Sequence, residues 1–466
     1  MIQGVDFSSS NVALYDGAAD RAISYRDLGQ RVAQNRALLR ALARPAVVFQ
    51  FTPNGAGAVA AYLACLAEGL PLGLAEPSVP LRERVVGAYR PSALVLPAAE
   101  PVPAGYHRAG LLAGGELALV QSDAGAYEVV PGDALALLLA TSGSTGDPKF
   151  VRLSLGNLES NARSIVEYLA IGPGDTAIQG LPLHYSYGLS VLNSHLLAGG
   201  AVALTGHSFM RPEFWAVADA CRCTSFAGVP YMYETLARLR QSPAERKGLR
   251  TLTQAGGHLR PDLASQLALA AASRDARFFV MYGQTEATAR MAYVPPDRLL
   301  EKPGSIGIAV PRGELWLEPV DSDPARRQLF YRGPNVMLGY ASGPEDLTRG
   351  DELGGVLATG DLAETDADGY FRIVGRLSRF AKLFGKRVNL AGVEAEVEAR
   401  FPVRAAALEG AEALRLFIEA AADTETGAIR AHLASFLGVP PGSVHVARVS
   451  QLPLTASGKK DYKALA

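Results

Sequence analysis

"LLLATSGSTGDPKF", residues 137–150, passes from an apolar run into a loop of hydroxyls and glycines and closes on Lys149. The run has the length of a buried strand. A strand emptying into Thr141, Ser142, Gly143, Ser144, Thr145 and Gly146 offers backbone N–H groups and hydroxyls to an anion, and Lys149 adds a positive charge. The spacing is not that of a P-loop. Five places after Gly143 stands Pro148, where the G-x-x-x-x-G-K pattern has its second glycine. Taken alone, such a loop is more often a solvated turn than a site, so its meaning depends on its surroundings.

Those surroundings alternate short apolar runs with longer amphipathic stretches. "AVVFQF" (46–51) predicts a buried strand and "GAVAAYLACLAEGL" (57–70) a helix packed on it. Further strands are predicted at 93–97, 134–140, 201–205, 224–229 and 276–283, with helices such as "LGNLESNARSIVEYLA" (155–170) between them. The alternation predicts α/β layers with largely parallel sheets. Past residue 300 the texture changes. "GELWLEP" and "RQLFYRGP" read as short strands of a β-rich subdomain. Then come a helix at 393–401, strands at 415–420 and 443–450, and a helix at 427–437. The expected fold class is α/β: a large N-terminal domain (1–377) of layered α/β subdomains plus a β-rich subdomain, and a small C-terminal α+β domain (378–466). The division falls within "VGRLSRFAK" (374–382).

At 466 residues the chain exceeds what one hydrophobic core usually serves. It is 48% apolar and 20% charged, an ordinary globular balance, and its net charge of −1 gives no electrostatic footprint for nucleic acid or an anionic membrane. The opening "MIQGVDFSSSNVALYDG" lacks the basic and apolar regions of an export signal, and no apolar run approaches the ~20 residues of a membrane span. Cys65, Cys221 and Cys223 do not make a disulfide framework, which predicts a reducing, cytoplasmic setting. Cys221-Arg-Cys223 is too little for zinc, and the histidines show no metal-ligand spacing.

The order T-S-G-S-T-G-D-P-K (141–149) resembles the phosphate loop of the adenylate-forming superfamily, which includes acyl-CoA synthetases, luciferases and peptide-synthetase adenylation domains. Further strings follow in that family's order as far as residue 459. "TQAGGHL" (253–259) resembles the strand end that lies against adenine, where Gly256 and Gly257 would let a flat base approach the backbone. "MYGQTEAT" (281–288) resembles the motif that follows it. By that resemblance Tyr282 stacks on adenine, Thr285 reaches the α-phosphate and Glu286 holds Mg2+. "ATGDLAETDADGYFRIVGR" (358–376) resembles the segment whose aspartate, here Asp361, accepts from both ribose hydroxyls, a task that suits two acceptor oxygens. Arg376 would be a second ribose contact, or else a surface ion pair. "KPGSIGIAVP" (302–311) and "YRGPNVMLGY" (331–340) match family strings of architectural use and are assigned no chemistry. "LPLTASGKKDYKALA", at the end, resembles the motif whose lysine, here Lys459, enters the active site.

The resemblance implies attack by the carboxylate of a small acid on the α-phosphate of ATP. Mg-pyrophosphate leaves, an acyl-adenylate remains, and Lys459 bridges the two anions. A carboxylate needs no general base at neutral pH; the obstacle is charge repulsion, which preorganised donors and cations offset. The implied acceptor is a thiol, of coenzyme A or of phosphopantetheine on a separate carrier protein, because seven residues follow Lys459. In the family this second step follows a turn of a mobile C-terminal domain. The hinge residue, usually Asp in G-R-x-D, is Ser378 here. "KLFGKRVNLAGVEAEV" (382–397) resembles the string lining the thiol tunnel, with Lys382 and Gly385 in place and Gly392 where an acidic residue is common.

"LPLHYSYGLSVLNSHLLAGG" (181–200) resembles acyl- and aryl-acid ligases, and no Asp or Glu lies between Asp175 and Glu213 to pair an α-ammonium group. A non-amino acid, aryl or medium acyl, is expected. His184 gates the pocket or positions the carboxylate, or it is a core histidine satisfied by the backbone. Tyr185, Tyr187, Val229 and Met281 are candidate walls. Transfer of the acyl group to an amine, a luciferase-type oxygenation and a catalytically silent nucleotide-binding regulator are the alternatives.

Overall fold

Leu135–Ala140, the strand before the loop, pairs in parallel with Leu72–Leu74, which pairs with Val48–Gln50 and that in turn with Ala93–Pro97. The computed structural model describes residues 4–17, 20–140, 148–320, 323–377, 379–383, 386–410, 413–420, 425–455 and 458–465. Among these, antiparallel strands extend the sheet to eight: Phe150–Ser154 and Gly339–Ala341 on one side, Leu117–Ser122 and Tyr106–Leu111 on the other. Val48–Gln50 and Leu72–Leu74 are buried at every residue. Strands covered on both faces read as near-continuous apolar runs, interrupted here by the buried Gln50.

A second sheet, of nine strands among the described residues, has a parallel centre. In spatial order it runs Val12–Asp16, Ala201–Leu204, Thr176–Gln179, Ser225–Gly228, Thr251–Gln254 and Arg277–Tyr282. Antiparallel strands close both edges. Helix Ala56–Ala67 is buried from Ala56 to Leu66, as its all-round apolar surface requires. It shares one core with Leu14, Val202 and Leu204 of the nine-stranded sheet and Leu72, Leu137 and Leu139 of the eight-stranded one. Tyr62, on this helix, donates its hydroxyl to Asn193 Oδ1 of helix Ser186–Leu197 at 3.2 Å. Capping boxes at Ser24 and Ser154 start helices Tyr25–Leu39 and Leu155–Leu169. Parallel strands share a direction, so Thr251–Gln254 and Arg277–Tyr282 release their following loops side by side.

The chain divides into two units: Met1–Glu314 with Arg332–Leu357, and Leu315–Tyr331 with Ala358–Ala466. The second holds most of a four-stranded sheet of Glu314–Val320, Asp323–Arg332, Val356–Thr365 and Phe371–Arg376. It also holds a sheet of Arg404–Gly410, Ala413–Glu419 and Val444–Val449, with helices Leu390–Arg400 and Thr426–Leu437. Val393, Val397, Ala405, Leu416, Ile418 and Leu433 form that module's core. By packing, the four-stranded sheet goes with the C-terminal residues, whereas sequence texture groups it with the N-terminal part. Among the described residues no helix is long and apolar enough to cross a membrane.

Candidate active site

In the larger unit, the strand Thr251–Gln254 leads to Gly256, whose φ is +87°. A Cβ there would strike the Tyr185 hydroxyl and lie 3.2 Å from Val229 Cγ1, so both conformation and space require glycine. Gln254 steadies the turn by donating Nε2 to the Gly257 carbonyl at 2.8 Å. Gly256, Tyr185 and Val229, far apart in sequence, thus meet. Tyr187 is buried, with its hydroxyl 2.9 Å from Thr253 Oγ1. Met281 is buried as well, its sulfur accepting from the Tyr168 hydroxyl at 3.0 Å. Of the four candidate walls, Tyr185 keeps partial exposure. His184 is half-buried, and burial lowers its imidazole to about 4, which leaves it neutral at physiological pH.

Beyond the strand Arg277–Tyr282 the chain turns sharply. A Cβ on Gly283 would collide with the Ala289 carbonyl. Thr285–Ala287 forms a single 3-10 turn, and Thr288 and Ala289 follow with φ of 56° and 110°. Two consecutive non-glycine residues in that region store strain, about 1–3 kcal/mol each. Asn335 holds them there: its Nδ2 donates to the Ala287 and Arg290 carbonyls at 2.7 and 2.9 Å, and its own carbonyl accepts from Thr288 Oγ1 at 2.6 Å. The hydroxyls of Thr285 and Ser186 lie 3.2 Å apart. Gln284 Nε2 donates to the Tyr282 hydroxyl at 3.3 Å.

Tyr340 ties this loop to the lysine of the opening motif. Its hydroxyl donates to Glu286 Oε1 at 2.9 Å, and Lys149 Nζ sits 3.5 Å from the centroid of its ring. Burial and the adjacent Glu286 carboxylate push the phenol well above its ordinary value, so it stays a donor. Neither Tyr340 nor Asn335 carries a sequence signal of its own; both lie in the string assigned no chemistry. Among the described residues no group of three or more His, Cys, Asp or Glu converges to hold a metal. A lone carboxylate such as Glu286 suits Mg2+, which keeps several waters and completes its shell with substrate phosphates.

In the smaller unit, Asp361 and Arg376 face each other across an antiparallel pair. Asp361 is buried; the half-exposed Arg376 contacts Oδ1 through Nε and Oδ2 through Nη2, the latter at 3.5 Å. The C-terminal motif is a tight hairpin. Thr455 N donates to the Lys459 carbonyl at 2.8 Å, Lys459 N donates to Thr455 Oγ1 at 3.2 Å, and Gly458 takes φ +76° at the bend. The neighbouring Lys460 anchors it, with Nζ 3.1 Å from Glu394 Oε2 and 2.8 Å from Glu398 Oε1. Burial opposes its charge, but the two glutamates outweigh burial and raise its pKa. Buried Glu394 also accepts from Arg379 at 2.7 Å and from the Tyr462 hydroxyl at 3.0 Å. It therefore acts as the post to which the tail is tied.

Thr141, Ser142, Gly143, Ser144, Thr145, Gly146, Ser378 and Gly385 lie outside the described residues, as does the side chain of Lys382.

Residues 5–341 match the family of AMP-binding enzymes. Over 285 residues the chain is 33% identical to feruloyl-CoA synthase of an Amycolatopsis species, covering 60% of this chain and 57% of that one. Among solved structures it is similar to O-succinylbenzoate coenzyme A synthetase (MenE) of Bacillus subtilis in complex with AMP, with TM-score 0.75, 21% identity and coverage of 97% of this chain and 94% of the other. The same enzyme in complex with ATP and magnesium ion gives TM-score 0.73 at 21% identity, covering 97% and 95%. At that identity these two likenesses speak for the fold. The chain spans 50% to 57% of the length of the first four curated relatives it matches. With the family's match running through both large sheets and the loops at their strand ends, the chain belongs to the AMP-binding enzymes.

Proposed function

We propose that the chain is an AMP-forming acid–thiol ligase, which activates a non-amino carboxylic acid with ATP and passes the acyl group to coenzyme A. The observation that carries this reading is the chain of contacts from Lys149 through Tyr340 to Glu286. It brings a cation from the glycine-rich loop's end and a carboxylate from the strained turn to one phenol, an arrangement that suits a polyphosphate and its metal.

In this reading the loop 141–146 and Lys149 hold the β- and γ-phosphates. Tyr282 stacks on adenine beside Gly256 and Gly257, and Asp361 and Arg376 take the ribose. Mg2+, held by Glu286, would neutralise charge on the departing pyrophosphate. Thr285 donates to the α-phosphate, and Ser186 orients it. The neutral ring of His184 positions the acid's carboxylate without adding charge. Lys459 offsets the repulsion between carboxylate and α-phosphate, which is the main barrier to their union. The carboxylate oxygen bonds to phosphorus as the bond to pyrophosphate breaks, and the thiolate then displaces AMP from the acyl carbon. We place the pivot between the two steps at Ser378, so that 378–466 is the lid, with Lys382 and Gly385 along the thiol's path. Names of relatives built on coenzyme A support that acceptor; a phosphopantetheine-bearing carrier protein would present the same arm. Three free, buried cysteines suit a reducing compartment such as the cytoplasm.

Isotope exchange between pyrophosphate and ATP, over a panel of carboxylic acids, tests the first step. Exchange should require an acid and no thiol, and coenzyme A should then yield a thioester. Lys459→Ala should lower exchange by about 100-fold or more, with ATP binding by calorimetry kept. Undiminished exchange in that variant would remove Lys459 from the mechanism. Silence across the panel with ATP still bound would favour the regulatory alternative.

A further inference from the structure

Arg290 is 2% exposed, yet its Nε and Nη1 have no hydrogen-bond partner among the described residues. The guanidinium carbon lies 3.9 Å from the centroid of the Tyr187 ring. Its charge also acts on Tyr168, whose hydroxyl donates to Met281 sulfur. Tyr185 feels its charge as well. A cation thus stands near Tyr168, Tyr185 and Tyr187, the last two being walls of the candidate acid pocket, and Tyr168 in turn holds Met281, a third wall. Stacking on Tyr187 satisfies the face of the guanidinium plane. It leaves the N–H donors of Nε and Nη1 unfilled, and a buried donor without a partner is costly. No carboxylate of the described residues pairs with it.

The backbone treats Arg290 as a fixed point. Its carbonyl accepts from Asn161 Nδ2 at 3.1 Å and from Asn335 Nδ2 at 2.9 Å. Those bonds, just after the positive-φ residues Thr288 and Ala289, set where its side chain departs. Met281, unbranched and polarisable, can change rotamer at small cost to admit a small polar group. Building on the reading of an acid-activating site, we infer that Arg290 receives a second anionic substituent on the acid substrate. The favoured substrates are then acids carrying a further carboxylate or sulfonate, and the reacting carboxylate is the end that lies toward Thr285. A cation here would also repel the ammonium group of an amino acid, in keeping with the absence of Asp and Glu between 175 and 213.

The test pairs each dianion with its monoanionic counterpart: succinate with butyrate, glutarate with valerate, phthalate with benzoate. Pyrophosphate exchange gives kcat/KM for each, and thermal shift without ATP gives binding. At least one dianion should exceed its counterpart by about 100-fold, because a site built for a polar group rejects the analogue lacking it. Arg290→Met should abolish that preference by lowering the dianion alone, and Arg290→Lys should restore part of it. Equal preference in the wild-type protein, or equal losses for both acids in Arg290→Met, would overturn the inference. Exchange with monoanions only would overturn it and leave the ligase reading standing. Exchange with no acid, but an Arg290-dependent thermal shift by a dianion, would instead sink the ligase reading and keep the anion site.

Discussion

His184 illustrates how a single side chain's surroundings set its chemistry. Burial lowers its imidazole from 6.5 to about 4. As pH falls, the unfolded chain binds this proton near 6.5 while the folded chain resists until about 4. The residue therefore costs the native state nothing above 6.5 and withdraws stability progressively between 6.5 and 4. Proton NMR of the ring should show a midpoint near 4; a midpoint near 6.5 would mean a solvated ring and contradict the pocket placement. At this scale the sequence is informative wherever one short string carries the chemistry. Gly256 follows the strand Thr251–Gln254, Tyr282 closes the strand Arg277–Tyr282, and Glu286 lies in the 3-10 turn beyond it; the strings that hold them are short and local. Tyr340 and Arg290 were not legible. Their meaning arises from contacts with Lys149, Glu286 and Tyr187, which folding alone brings near.

The turn from Gly283 to Arg290 is the element on which the candidate site depends. Its two positive-φ residues persist because Asn335 fills carbonyls that would otherwise be buried and unpaired. Asn335→Ala should reduce the unfolding free energy of the larger unit by about 2–3 kcal/mol, read by urea denaturation, and slow acid activation about tenfold or more. Wild-type stability and rate in that variant would show that the turn holds itself. Central strands such as Ala93–Pro97 were legible as unbroken apolar runs, and helix Leu155–Leu169 by its period. Arg404–Gly410 was not. "RAAALEG" is rich in Ala, Leu and Glu, which favour helix, and only pairing with Ala413–Glu419 makes it a strand.

On the scale of the molecule, two large sheets bury one helix layer, and parallel strands of the second sheet end together at the strained turn and the glycine pair. The smaller unit carries its own prepared groups: a buried aspartate clasped by Arg376, and a hairpin tail moored through Lys460 to Glu394. The alternation of strands and helices in the sequence announced the layers. The allegiance of the four-stranded sheet was hidden, because it is decided by packing between segments far apart in the chain. The proposed function gives all these parts to one reaction, in which an acid is joined to the innermost phosphorus of ATP. Phosphorus NMR of the protein turning over ATP with Mg2+, an accepted acid and coenzyme A tests that most directly. AMP and pyrophosphate should accumulate in equal amounts; ADP and orthophosphate would contradict the account.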